Sequence, residues 1–364
     1  MNFCRAFQPA IFLMRCYRSV SQIWPCSLWR DWDGPTSVSL SVCFLLSTCN
    51  WGQSDQHLLR GEQCTKSESM IFEQASTQAD QTNSGSRALS AFGTLSLHWP
   101  EYLMEVGLLG LYMFFACAFA TLFQHPASPI RHVISSSLAR RTLYGLAMGS
   151  TMIGIVTTPW GKQSGGHFNP AITFTFYRLG KVELWDALFY AAAQFSGATC
   201  GIAIATYVLR GAPANSAVRY AVTVPGVYGN AGAFIGELTI SFLLMITILF
   251  VTNGKKLARY TPYFVGALYA IYIAFETPLS GMSMNPARTF GSALHASYWH
   301  AIWIYFIAPT LGMYCAAEVF LRVRGGAAPY CAKLHHANNK RCIFHHAQQE
   351  ILFGRKAIHS EEAN

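Results

Sequence analysis

Six runs of the chain are almost continuously apolar: residues 102–123, 142–158, 184–209, 231–251, 260–275 and 298–321. A helix needs about 20 mostly apolar residues to cross a bilayer, so these runs predict six transmembrane helices. The second and fifth are short. Two more apolar pieces, 170–176 and 286–294, are too short to cross. One follows the second run and the other follows the fifth. Short helical pieces at membrane depth persist only where protein buries them or where they line a watery cavity. The pattern predicts an all-α membrane protein with six transmembrane helices plus two re-entrant half-helices.

The short pieces repeat one another. His167-Phe168-Asn169-Pro170-Ala171-Ile172-Thr173-Phe174 matches Ser283-Met284-Asn285-Pro286-Ala287-Arg288-Thr289-Phe290 at five of eight positions. A carboxylate also opens each half, Glu105 in the first run and Glu237 in the fourth, 64 and 48 residues before the respective asparagines. A unit repeated after three crossings is inverted relative to its copy, so the two Asn-Pro-Ala segments come in from opposite faces and meet near the midplane. Proline is preorganised for the first helical position, and asparagine before it is a favoured N-cap. Two positive helix-dipole ends then face each other in a low-dielectric slab. Cations and hydronium are repelled there, while the asparagine N–H groups can donate to the oxygen of a neutral molecule.

Charge supports a membrane protein and excludes other classes. Only 12% of residues are charged, about half the share of a soluble domain, which argues against a disordered chain or a nucleic-acid binder. Of 26 Lys+Arg and 17 Asp+Glu, seven of each fall in residues 1–100. Residues 101–325 hold 14 basic and seven acidic groups, and residues 326–364 hold five and three. With the C-terminus in the cytoplasm, thirteen Lys and Arg lie on the inward side, including Lys162, Arg178, Lys181, Lys255, Lys256 and Arg259. The outward side carries five: Arg131, Arg140, Arg141, Arg210 and Arg219. The positive-inside bias places both termini in the cytoplasm.

Three segments follow. Residues 1–100, rich in Ser, Gln and Cys, read as an N-terminal extension, either disordered or preceding a true initiator at Met70 or later. Residues 101–325 carry the channel pattern. Residues 326–364 form a cytoplasmic tail in which Cys331, His335, Cys342 and His345, beside His336 and His346, are candidate zinc ligands by ligand chemistry. The alternative there is a solvated basic tail near anionic lipid. Cys117, Cys200 and Cys315 sit in apolar runs and read as reduced core residues.

On the paired motifs Ser164-Gly165-Gly166-His167-Phe168-Asn169-Pro170-Ala171 and Asn285-Pro286-Ala287-Arg288, the region 101–325 resembles the aquaporin family of major intrinsic proteins. The resemblance implies one pore per subunit, usually a homotetramer, and no cofactor. It places Glu105 and Glu237 as buried braces of the re-entrant loops. His167 either touches the inner mouth of the pore or braces its loop, and Gln194 either bonds the re-entrant backbone or packs between helices. It makes Arg288, where the first half has Ile172, part of a selectivity filter. Ile273 and Met282 follow by spacing from Asn285. The fourth filter residue, counted back from Asn169, falls at Gly149, or at Tyr144 if the long 157–162 loop shifts the count.

Ile273 stands where the family's water-selective members have His, a departure that widens or dries the constriction. Thr289 stands where glycerol carriers usually have Asp, and Tyr305 with Phe306 resembles the water-channel type. The expected function is passive passage of water, with small neutral solutes as possible further cargo, across the cell membrane. No nucleophile, base and orienter arrangement is visible in the spans, so an enzyme is not expected. The rival readings are a glycerol or small-solute facilitator, a poorly conducting scaffold and an ion-coupled transporter. The last would need titratable residues along the path, and beyond Glu105 and Glu237 the spans offer almost none.

Overall fold

The computed structural model describes residues 90–344, which form helices joined by turns with no strand among them. The N-terminal extension up to residue 89, together with His345, His346 and the rest of the tail, lies outside the described residues. The six runs are all helical: α1 Ala91–Gln124, α2 Ser137–Thr157, α4 Leu184–Val208, α5 Gly229–Thr252, α6 Thr261–Phe275 and α8 Ile302–Val323. The short pieces are also helical, α3 Pro170–Arg178 and α7 Pro286–Ala296.

Four of these helices, α1, α4, α5 and α8, are long and apolar enough to cross a membrane by length and composition. The other two are less self-evident. α6 has 15 residues and at 1.5 Å per residue rises only about 22 Å, and α2 mixes Arg140, Arg141 and Thr142 into its first turns. They pack along each other.

Boundaries moved where polar residues interrupt the hydropathy. α1 starts at Ala91, not at residue 102, because Ser90 caps it: the Ser90 hydroxyl accepts from the Gly93 N–H at 3.2 Å. The helix runs on through Pro100. α8 starts at Ile302 instead of 298, because Ser297 and Ala301 both take left-handed backbone.

The main pairs repeat the inversion. α1 packs on α4 and α5 on α8 in corresponding ways, with α7 against α4 and α3 against α8. The closeness of the first two pairs depends on glycines, Gly197 and Gly201 between α1 and α4 and Gly312 between α5 and α8. A Cβ on Gly197 would collide with the Val106 backbone, and one on Gly312 with the Leu238 backbone. Val106 and Leu238 are the residues directly after the two glutamates. Outward, the spanning helices present exposed Leu103, Leu111, Ile204, Ile235, Leu243 and Ile307, while Glu105, Gln194 and Glu237 are fully buried. Apolar groups outside and carboxylates inside suit a lipid solvent; a soluble monomer would not carry such extensive apolar faces.

Candidate functional site

Each half builds the same bracket around its re-entrant loop. In the first half, Glu105 Oε1 accepts from the Ser164 hydroxyl (2.8 Å) and the His167 N–H (3.2 Å), and Oε2 accepts from the Phe168 N–H (2.6 Å). In the second, Glu237 Oε1 accepts from the Ser280 hydroxyl and the Ser283 N–H, both 2.7 Å, and Oε2 accepts from the Met284 N–H at 2.7 Å. Loop backbone at membrane depth must find partners inside the protein, and one carboxylate here satisfies two consecutive N–H groups.

The bracket also holds strained backbone. Phe168, Met282 and Met284 have positive φ of 25°, 52° and 54°. A non-glycine residue held in this region costs on the order of 1–3 kcal/mol and persists only where its surroundings over-determine it. Here the strain turns the loop so that each asparagine reaches the middle of the molecule.

Asn169 and Asn285 have extended backbone, φ −153° and −147°, and cap α3 and α7. Asn169 Oδ1 accepts from the Ala171 N–H at 2.9 Å. Asn285 Oδ1 accepts from the Ala287 and Arg288 N–H groups at 3.0 and 3.2 Å. Such a cap stabilises a helix by about 1 kcal/mol; here it also fixes which end of the amide faces inward. The amide of Asn169 then donates across to the Met284 carbonyl at 2.7 Å, and that of Asn285 to the Phe168 carbonyl at 2.8 Å. The two tips therefore converge, and each amide commits one of its two hydrogens. Pro170, Ala171, Pro286 and Ala287 are buried in the first turns behind them.

Beyond the second tip lies a cavity of about 270 Å³. Arg288, Ile273, Met282 and Tyr144 line it together with Tyr112 and Arg141. Arg288 is 8% exposed, and its Nη1 has no hydrogen-bond partner among the described residues. The structure places Tyr144 on this cavity. Gly149 instead lies in the α2–α6 crossing, where a Cβ would collide with the Gly266 carbonyl. The count back from Asn169 stopped short because the connection after α2 carries a six-residue helical turn, Pro159–Ser164, capped by the Thr158 hydroxyl. Gly149 is thus corrected from filter residue to crossing residue.

His167 is fully buried and meets partners the sequence reading did not name. Its Nδ1 bonds Thr173 Oγ1 at 3.1 Å and its Nε2 bonds the Ala332 carbonyl at 2.8 Å. Because a carbonyl only accepts, Nε2 carries a hydrogen. Gln194 donates from Nε2 to Glu105 Oε2 at 2.8 Å and to Thr173 Oγ1 at 3.2 Å, so it bonds the side chains around the loop and not its backbone. Two braces escaped the sequence reading. Tyr190 donates to the Ser164 carbonyl at 2.7 Å and Tyr305 to the Ser280 carbonyl at 2.5 Å. Their near-equal offsets from the repeated asparagines, 21 and 20 residues, were the available signal.

Among the described residues, the candidate zinc ligands Cys331, His335 and Cys342 do not converge. Among the described residues no three His, Cys, Asp or Glu side chains converge as a metal site. His345 lies outside those residues. Cys331 and Cys342 sulfurs are 3.8 Å apart. The hydrogen bond with Cys342, followed by burial, pushes the Cys331 thiol well above its usual range.

Residues 96–320 match the family model for the major intrinsic protein. Aquaporin NIP2-3 of Zea mays is 30% identical over 234 residues, covering 64% of this chain and 72% of that protein. An aquaporin PIP-type of Atriplex canescens is 35% identical over 175 residues, covering 45% and 61%. The aquaglyceroporin structure from Plasmodium falciparum superposes with a TM-score of 0.53 at 20% identity, over 62% of this chain and 97% of that one, and shares the fold. The chain belongs to the major intrinsic protein family and is a multi-pass membrane channel, not an enzyme.

Proposed function

We propose that the chain passes water by diffusion and excludes protons and ions. The observation that carries this reading is the crossed pair of asparagine amides. With Oδ1 committed to its own half-helix and one hydrogen to the opposite loop, each amide offers only a donor to a molecule between the tips. A water there accepts from the asparagines and must turn its own hydrogens away from them. That orientation interrupts a proton-conducting chain, and two converging helix dipoles repel cations. Arg288, with Ile273, Met282 and Tyr144, forms the filter on the outer side and adds a second barrier to cations. Conduction of this kind needs no cofactor.

The assembly is a homotetramer with one pore per subunit, in the cell membrane, with both termini cytoplasmic; the Lys and Arg bias between loops supports the orientation. A second reading, passage of small neutral solutes such as glycerol, is favoured by the apolar Ile273 and Met282 lining the same cavity as Arg288.

Stopped-flow light scattering on proteoliposomes tests both. Fast shrinkage under a sucrose gradient, with an activation energy near that of bulk water diffusion and no proton leak, is expected. Rates equal to protein-free vesicles favour a scaffold. Dependence on a sodium or proton gradient favours a transporter. Swelling in glycerol at a comparable rate favours the solute reading.

A further inference from the structure

The two re-entrant loops are built alike, yet their surroundings differ. In the second half, Gly281 and Met282 border the cavity beside Arg288. In the first half, the equivalent Gly165 is covered by the chain's own tail. The Leu334 N–H donates to the Gly165 carbonyl at 3.0 Å. The Phe344 ring lies against Gly165, in the space a Cβ would need, and stacks on His167 with ring centroids 5.2 Å apart and planes 11° apart. Ser283, the counterpart of His167, keeps its hydroxyl within its own half, on Asn285 and Thr289. His167 instead reaches out of its half to the Ala332 carbonyl.

The tail is anchored at several separate points. The Tyr330 N–H donates to Asn253 Oδ1 (2.7 Å) just after α5. The Asn338 amide lies 3.5 Å from the Lys162 carbonyl. The Arg341 guanidinium donates to the Leu97 carbonyl (3.0 Å) and sits 3.8 Å from buried Glu101. Within the tail, the Lys333 ammonium donates to the Lys340 and Arg341 carbonyls at 3.2 and 2.6 Å, which closes the segment into a braced turn. Cys331, Ala332, Leu334 and Phe344 are all buried in this arrangement.

Gly165 and His167 lie on the segment that leads from this face to Asn169. The Gly165 carbonyl and the His167 imidazole are both already occupied by the tail, through Leu334 and Ala332. We propose that residues 330–344 are an autoinhibitory plug: docked, they close the mouth on the side of the first re-entrant loop, and conduction requires their release. The proposal rests on the reading of the chain as a channel.

Osmotic permeability per particle, measured on proteoliposomes, tests it with four forms: the full chain, a form lacking residues 328–364, a form lacking only residues 345–364, and full-length protein carrying Arg341→Glu with Phe344→Ala. A several-fold rise in the second and fourth forms, with the third equal to the full chain, is expected. Should the shortened form aggregate, the double variant decides. Equal permeability in all forms, above that of protein-free vesicles, overturns the plug and leaves the channel reading intact. Permeability at the protein-free level in every form overturns both.

Discussion

Tyr190 and Tyr305 hold the same place in opposite halves: each hydroxyl donates to the carbonyl of the serine whose own hydroxyl donates to that half's glutamate. The re-entrant loop is thereby clamped from two long helices, α1 and α4 in the first half and α5 and α8 in the second. Tyr190→Phe or Tyr305→Phe leaves a buried carbonyl unpaired, a cost of about 1–3 kcal/mol. Each change should lower the thermal unfolding midpoint in detergent by a similar amount. An unchanged midpoint for both would remove the tyrosines from the clamp.

Glu237→Gln replaces a two-oxygen acceptor with an amide whose NH2 faces donors. At least one of the Ser283 and Met284 N–H groups then loses its partner, at about 1–3 kcal/mol for each orphaned donor. The loop carries Met282 and Met284 at positive φ, so it should relax once unbraced. Reduced stability together with reduced water permeability is expected, and Glu105→Gln should behave alike. A variant with normal stability and normal flux would contradict the bracing argument.

Asn169→Asp keeps the cap acceptor for Ala171 but removes the hydrogen that reaches Met284. It also puts a negative charge where two positive dipole ends converge. Leakage of protons or sodium, absent in the parent, should appear in pH-sensitive and sodium-sensitive dye assays on vesicles. A tight variant would mean that the barrier to charge lies elsewhere, at Arg288.

Arg288→Ala and Tyr144→Ala should both broaden the solute profile toward larger or charged molecules, because both side chains line the same cavity. Gly149→Leu should instead fail to fold, since its side chain would meet the Gly266 carbonyl between α2 and α6. Uptake of glycerol and urea, read beside size-exclusion profiles, separates these outcomes. A well-folded Gly149→Leu channel with altered selectivity would return Gly149 to the filter.

Much of this was legible along the chain because its causes are local. Runs of apolar residues long enough for a bilayer, an Asn-Pro pair at a helix start and an eight-residue repeat are all properties of neighbouring positions. They predicted the six helices, the two half-helices and their inversion. Boundaries were less legible at Ser90 and Ala301, where a cap or a left-handed residue, and not hydropathy, decides where a helix starts.

What the linear order could not decide depends on which distant surfaces come to share space. Tyr144 and not Gly149 borders the cavity because a capped turn after Thr158 lengthens the connection, while a methyl-free crossing holds α2 against α6. His167 bonds Ala332, 165 positions away, a pairing no local pattern encodes. Cys331 and Cys342 came into contact within a docked tail, since the apolar and hydrogen-bonding groups around Gly165 accommodate that segment. Hydropathy and motif acted within a few turns of chain; the lining of the cavity beside Arg288 and the tail's contacts with the first loop emerged only when helices from opposite halves closed around the two loops.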